Sequence, residues 1–199
     1  MTDLSFLNGR FLPHLRVSGW LGEADARRLL DHILASERLF KPSQVAEGFD
    51  PGTRRSLVLR GLGPFDAMLA DRARALQAEL EAAFGMGHVA PADIEVEVVA
   101  HGDGGFYGPH IDTFTGDDHV HGDRRRLTLV YYVHRTPRRF TGGRLRLHDM
   151  AGSRTIDIAP EFDSLVAFPS FARHEVEPVS CPGNAFADGR FSVNLWLCG

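Results

Sequence analysis

His110 and Asp112 stand two positions apart in the stretch Phe106-Tyr-Gly-Pro-His-Ile-Asp-Thr-Phe114. On an extended strand residues i and i+2 share a face, so this spacing offers an imidazole and a carboxylate to one cation. Spacing alone does not select the pair, because His-x-Asp occurs three times, as His101/Asp103, His110/Asp112 and His121/Asp123. The first sits in His-Gly-Asp-Gly-Gly, where glycines mark a turn that would not hold side chains rigidly. The third lies in a run of charge from His119 to Arg126 with almost no apolar anchor, and reads as an exposed loop. Only around His110 can Tyr107, Ile111, Thr113 and Phe114 pack as a strand and support ligands.

A third ligand comes from His148 or His174. His174 opens His-Glu-Val-Glu-Pro-Val, whose alternation separates His174 and Val176 from Glu175 and Glu177. After a turn through Ser180–Gly189, the run Arg190-Phe-Ser-Val-Asn-Leu-Trp196 puts Arg190, Ser192, Asn194 and Trp196 on one face. Antiparallel pairing of these two strands would turn His174 and Arg190 into one cavity. His148 has no comparable partner strand with an inward arginine. Two histidines and one carboxylate on one face of an octahedron leave three open positions, as in non-haem Fe(II) oxygenases. An arginine behind them suits a carboxylate gripped in two-point fashion. The expectation is iron plus a small dicarboxylic acid, with a zinc site as the competing reading of the histidines and aspartate.

The elements that position these residues fall into two groups. Helical spacing predicts helices over about 22–36 (Ala26, Leu29, Leu30, Ile33, Leu34) and from Phe65 to Phe84. A short strand near Phe11–Val17, a loop over Lys41–Arg54 that could cover a site, and a strand over Ser56–Arg60 complete the N-terminal part. Eight short β runs follow: Ile94–Ala100, Tyr107–Phe114, Leu127–His134, Gly143–Leu147, Thr155–Ile158, Ser164–Phe168, His174–Val179 and Phe191–Leu197. The predicted class is α+β, mainly β: an eight-stranded jelly roll over 93–199, backed by two N-terminal helices within 1–92, in one domain of 199 residues.

Composition narrows the partners. A net charge of −4 gives no overall attraction to nucleic acid or an anionic membrane, and no apolar run is long enough to span a bilayer. Two cysteines, Cys181 and Cys198, make no disulfide framework, and with no secretory signal the expectation is a cytoplasmic protein. Lys41 is the single lysine among 22 basic residues, so anion sites are expected to use arginine.

As a set, Tyr107-Gly-Pro-His-Ile-Asp112, Leu127-Thr-Leu-Val-Tyr-Tyr132, Gly142-Gly-Arg-Leu-Arg-Leu147, His174-Glu-Val-Glu-Pro-Val179 and Arg190-Phe-Ser-Val-Asn-Leu-Trp196 resemble the Fe(II)/2-oxoglutarate-dependent dioxygenases, specifically their prolyl 4-hydroxylase-like group. The resemblance covers about 94–198 and implies a double-stranded β-helix. It implies that His110, Asp112 and His174 bind iron, that Arg190 pairs with the distal carboxylate of 2-oxoglutarate, and that Tyr132 donates a hydrogen bond to it. Thr128 and Ser192 join the expected cosubstrate pocket; Tyr107, Trp196 and Arg125 are expected on the substrate side. The implied reaction consumes O2, releases succinate and CO2 and hydroxylates an unactivated C–H bond, with ascorbate as an accessory reductant. A prolyl residue in a protein or peptide is the implied substrate, a free amino acid or small metabolite the alternative. Arg190, where collagen-type enzymes use lysine, draws the resemblance toward the oxygen-sensing and bacterial branch.

Two rivals remain. A nucleic-acid demethylase would use Arg124–Arg126 and Arg138-Arg139, but its expected second arginine falls on Trp196. A cupin-like metal-binding or sensor module would need a glutamate where Arg126 follows His119-Val-His121.

Overall fold

The computed structural model describes residues 8–44, 50–89, 93–113 and 125–199. In chain order the strands are β1 (Leu15–Ser18), β2 (Lys41–Pro42), β3 (Arg54–Arg55), β4 (Leu57–Arg60), β5 (Ile94–His101), β6 (Phe106–His110) and β7 (Arg125–Val133). There follow β8 (Thr141–Gly142), β9 (Leu145–His148), β10 (Thr155–Ile158), β11 (Ser164–Pro169), β12 (His174–Val176), β13 (Val179–Ser180) and β14 (Arg190–Cys198). Two helices, α1 (Glu23–Ala35) and α2 (Pro64–Ala83), precede the long strands.

Antiparallel pairing joins β1-β11-β7-β14-β5-β4-β2 into a seven-stranded sheet and β10-β9-β12-β6-β3 into a five-stranded one. The large sheet has two differently used faces, as strand alternation requires. Its outer residues Val98, Ala100, Leu129, Tyr131, Val193 and Leu195 pack with Leu29, Ile33, Leu69 and Ala73 of the helices. Its inner residues Val130, Tyr132, Val166 and Phe168 meet Leu145, Leu147 and Ile158 of the small sheet. The polar inner positions at one end of this interface build the site.

The helices form where expected. Pro64 supplies the pre-set φ of a first helical turn in α2, and Glu23 and Asp25 lie in the first turn of α1, where the helix dipole favours a negative charge. Each helix buries one apolar stripe; Leu29, Ile33 and Leu69 have no exposed surface, and truncating such a residue to alanine costs about 2–5 kcal/mol. Glu81 of α2, also buried, accepts from Arg126 Nη1 at 3.0 Å and lies 2.8 Å from His88 Nδ1, which ties the start of β7 to the helix.

Several expectations need correction. Arg125 and Arg126 open strand β7 rather than ending a loop; the rest of the charged run, with His119, His121 and Arg124, lies outside the described residues. Strand β6 stops at His110, so Asp112 follows the strand and is held instead by its N–H to Ser170 O at 2.9 Å. Strands β12 and β14 do not pair: β12 lies between β6 and β9, and β14 between β7 and β5. The intervening segment, with β13 on β8, crosses from one sheet to the other, so His174 and Arg190 belong to opposite layers. The N-terminal part supplies strands as well as helices, since β1, β2 and β4 extend the large sheet and β3 the small one. Of the Lys41–Arg54 loop, 45–49 lie outside the described residues.

Candidate active site

The small sheet places the two histidines side by side. His174 on β12 is directly opposite His110 on β6, and their rings are 4.1 Å apart. Each ring has its Nδ1 against a backbone carbonyl two residues back, Gly108 O for His110 and Ala172 O for His174, both at 2.9 Å. Only a protonated Nδ1 can donate there, so both Nε2 atoms keep their lone pairs free for a cation.

Asp112 closes the group. One or another ligand atom of His110, Asp112 and His174 lies within 4.8 Å of each of the others, with His110 Nε2 at 3.5 Å from Asp112 Oδ1 and His174 Nε2 at 3.7 Å from Oδ2. Oδ2 accepts two further hydrogen bonds, from Thr128 Oγ1 at 2.8 Å and Trp196 Nε1 at 2.9 Å. Those bonds occupy one carboxylate oxygen and leave Oδ1 available to a metal. Burial pushes the Asp112 carboxyl up, but His174, His110 and the Trp196 bond outweigh it and hold it well below the usual carboxylate range. Burial, with His110 beside it, lowers His174 to about 4, which keeps its ring neutral and ligand-competent at neutral pH. Two imidazoles and a carboxylate, each oriented by an outer hydrogen bond, fit a divalent metal with open positions.

Across the interface, β14 presents Arg190, 1% exposed. Its Nε donates to Gly143 O at 2.7 Å, and Nη1 contacts His101 Nδ1 and Ser192 Oγ, both at 3.3 Å. The guanidinium lies 5.0 Å from the centre of the Tyr132 ring, and Tyr132 Oη is buried without a hydrogen-bond partner among the described residues. No carboxylate pairs with Arg190 among those residues. A buried cation with unused donors beside it is costly unless an anion arrives.

Of the expected substrate-side residues, Tyr107 stacks on His110 at 3.6 Å, and Arg54 caps its other face at 4.6 Å. Arg125 lies 3.8 Å over the Trp196 ring and pairs with Glu95. Beyond Arg54 a cavity of about 950 Å³ is lined by Lys41, Val58, Arg60 and Glu97 among others. Its lining includes none of the three metal-competent residues; Arg54 and Tyr107 bridge the two. Thr128, expected in the cosubstrate pocket, spends its hydroxyl on Asp112 and Ser170.

His101 was missed by sequence reasoning. Its turn reading is correct only from Gly102 onward: His101 ends β5, is 2% exposed and is in register with Arg190. The available signal was the alternation of β5 itself, which puts Glu97, Val99 and His101 on the inner face.

The profile of the 2OG-Fe(II) oxygenase superfamily matches residues 96–198. An uncharacterized PKHD-type hydroxylase of Synechocystis sp. is 34% identical over 154 residues, covering 72% of this chain and 50% of the relative. Egl nine homolog 1 of Homo sapiens is 33% identical over 98 residues, 48% of this chain and 20% of that protein. The chain thus spans half or less of the length of these relatives. Among solved structures, a prolyl hydroxylase from Trichoplax adhaerens in complex with a hypoxia inducible factor peptide fragment superposes with a TM-score of 0.74 at 21% identity, covering 94% of this chain and 84% of that one. A prolyl-4-hydroxylase of Pseudomonas putida gives 0.70 at 22%, covering 94% and 92%. At these identities the structures speak to the fold.

Proposed function

Because the chain belongs to the 2OG-Fe(II) oxygenase superfamily, we propose that it is an Fe(II)- and 2-oxoglutarate-dependent hydroxylase. His110, Asp112 and His174 would hold the metal, and Arg190, with Tyr132 and Ser192, the distal carboxylate of the cosubstrate. One observation carries the reading: across the sheet interface from a three-residue metal group lies a buried arginine that has no carboxylate partner among the described residues. A dicarboxylic acid able to reach both would satisfy the arginine and the open metal positions together. When bound, iron in such a site supplies the activation of O2. The protein's share is to keep the His174 imidazole neutral, hold Asp112 by one oxygen, and bury the cosubstrate end away from water. The two facing antiparallel sheets are read as the double-stranded β-helix of the family.

A prolyl residue in a protein or peptide is the proposed substrate, supported by the relatives and structures named above, with a free amino acid or small metabolite as the alternative. Tyr107, Trp196 and Arg125 would flank it, and the cavity beyond Arg54 has room for more than one residue of a peptide. A cytoplasmic location is proposed, in keeping with a chain that has only two cysteines, Cys181 and Cys198. No helix among the described residues is long and apolar enough to cross a membrane.

The test is to incubate Fe(II)-loaded protein with 2-oxoglutarate and host lysate, and to search for peptides or metabolites heavier by one oxygen. Succinate must form in step with product and require Fe(II) and O2. Absence of turnover with peptide or amino-acid substrates, together with an inert His110→Ala substitution, would sink the enzyme reading in favour of a non-catalytic metal-binding module.

A further inference from the structure

His101 has chemistry that nothing in the hydroxylase reading uses. It lies on the inner face of β5, opposite Arg190 on β14, and the residue is 2% exposed. Arg190 Nη1 sits 3.3 Å from His101 Nδ1. A guanidinium can only donate, so Nδ1 must accept, and the ring proton is therefore on Nε2. That Nε2 is buried and has no hydrogen-bond partner among the described residues. Burial, then Arg190 and Arg54 nearby, keep the ring from taking a second proton. The result is a neutral imidazole with one fixed, unspent donor in a positively charged pocket end. Tyr132 Oη, 0% exposed on the adjoining strand pair, is the other unspent group there.

Leaving a buried N–H without an acceptor costs free energy, and doing so beside a buried cation that has no carboxylate partner among the described residues costs more. The inexpensive arrangement is one in which a single anionic ligand accepts from all three. We propose that His101 Nε2–H is a direct hydrogen-bond donor to the distal carboxylate of the cosubstrate, making the anion site a triad of Arg190, Tyr132 and His101. The inference rests on the 2-oxoglutarate reading of the site. It makes His101 a selectivity residue: it recognises the end of the cosubstrate chain, while its Nδ1 orients the arginine.

The two ring nitrogens can be separated by substitution. His101→Gln retains a donor at the ε position, and His101→Asn retains an acceptor for Arg190 at the δ position but no outer donor; His101→Phe keeps the shape and neither group. Calorimetric titration into Mn(II)-loaded protein without O2 reads binding apart from turnover. The expected order for 2-oxoglutarate is wild type, closely followed by Gln, with Asn and Phe weaker by about tenfold or more. For 2-oxopentanoate, which lacks the distal carboxylate, the four proteins should bind alike. Steady-state assays should show a corresponding rise in KM for 2-oxoglutarate in the Asn and Phe variants, with kcat little changed. Equal affinity in all four proteins, recovery by Asn but not Gln, or the same loss with 2-oxopentanoate would each overturn the assignment. Wild-type protein that binds Mn(II) but no 2-oxoglutarate would instead overturn the hydroxylase reading beneath it.

Discussion

Trp196 donates from Nε1 to Oδ2 of Asp112 at 2.9 Å, so the last strand of the large sheet orients a carboxylate that follows a strand of the small one. Thr128 supplies the second bond to the same oxygen. Asp112 lies beyond β6, where strand pairing no longer restrains it, and these donors add to the bond from its own N–H to Ser170 O. Trp196→Phe keeps an aromatic ring and removes the donor. It is expected to weaken metal binding by about tenfold with little change in thermal stability, measured by Mn(II) titration and melting. Unchanged metal affinity would show that Thr128 and the Asp112 N–H suffice.

Gly143 shapes the arginine from the other side. Its φ of +63° is the left-handed region, and a Cβ there would come within 2.7 Å of Arg190 Cδ and 2.8 Å of Val179 Cγ2. Its carbonyl also accepts from Arg190 Nε. Gly143→Ala should therefore cost about 1–2 kcal/mol of stability and also displace the guanidinium. The readout is 2-oxoglutarate affinity against that of the metal. Loss of stability with cosubstrate affinity intact would mean that Arg190 adapts.

Arg190→Ala separates the two halves of the site. The metal group belongs to the small sheet and its flank, the arginine to the large sheet. Removal of the guanidinium should reduce 2-oxoglutarate binding by roughly 1.5–3 kcal/mol and leave Mn(II) binding within about twofold. An equal loss of metal would assign the arginine a structural role.

The metal-competent residues were legible because their chemistry coincides with strand alternation: His110 and His174 sit on strands, and the apolar neighbours of His110 distinguish it from His101 and His121. The partner of each strand was not legible. Proximity in sequence suggested that β12 and β14 form a hairpin, yet both lie centrally in different sheets, and only tertiary packing decides such a crossing. His101 was hidden by the glycines after it, which announce a turn without saying where the strand ends. Arg126 looked solvated until Glu81, a buried carboxylate on α2, supplied its partner.

Acid sensitivity follows from the buried imidazoles. Burial, with His110 next, lowers His174 from an ordinary 6.5 to about 4. Burial and two arginines take His101 well below 6.5, and burial lowers His134. In the unfolded chain all three would protonate near 6.5. Above that pH both states carry neutral rings, and these groups add no pH dependence. As pH falls below it, the unfolded state binds protons that the folded state refuses, so stability declines down to the folded values, by at most about 1.4 kcal/mol per pH unit for each group. Asp112 acts in the same direction at lower pH: its depressed carboxyl stabilises the fold above the ordinary carboxylate range, and that contribution is lost as pH falls through its folded value. The metal-free protein should therefore show urea midpoints that are flat from pH 8 to 7 and fall steadily from about 6.5 toward 4.5. His101→Phe, which removes one titrating ring, should flatten that slope. A midpoint independent of pH across this window would mean that the rings gain protons without unfolding, through water reaching the pocket.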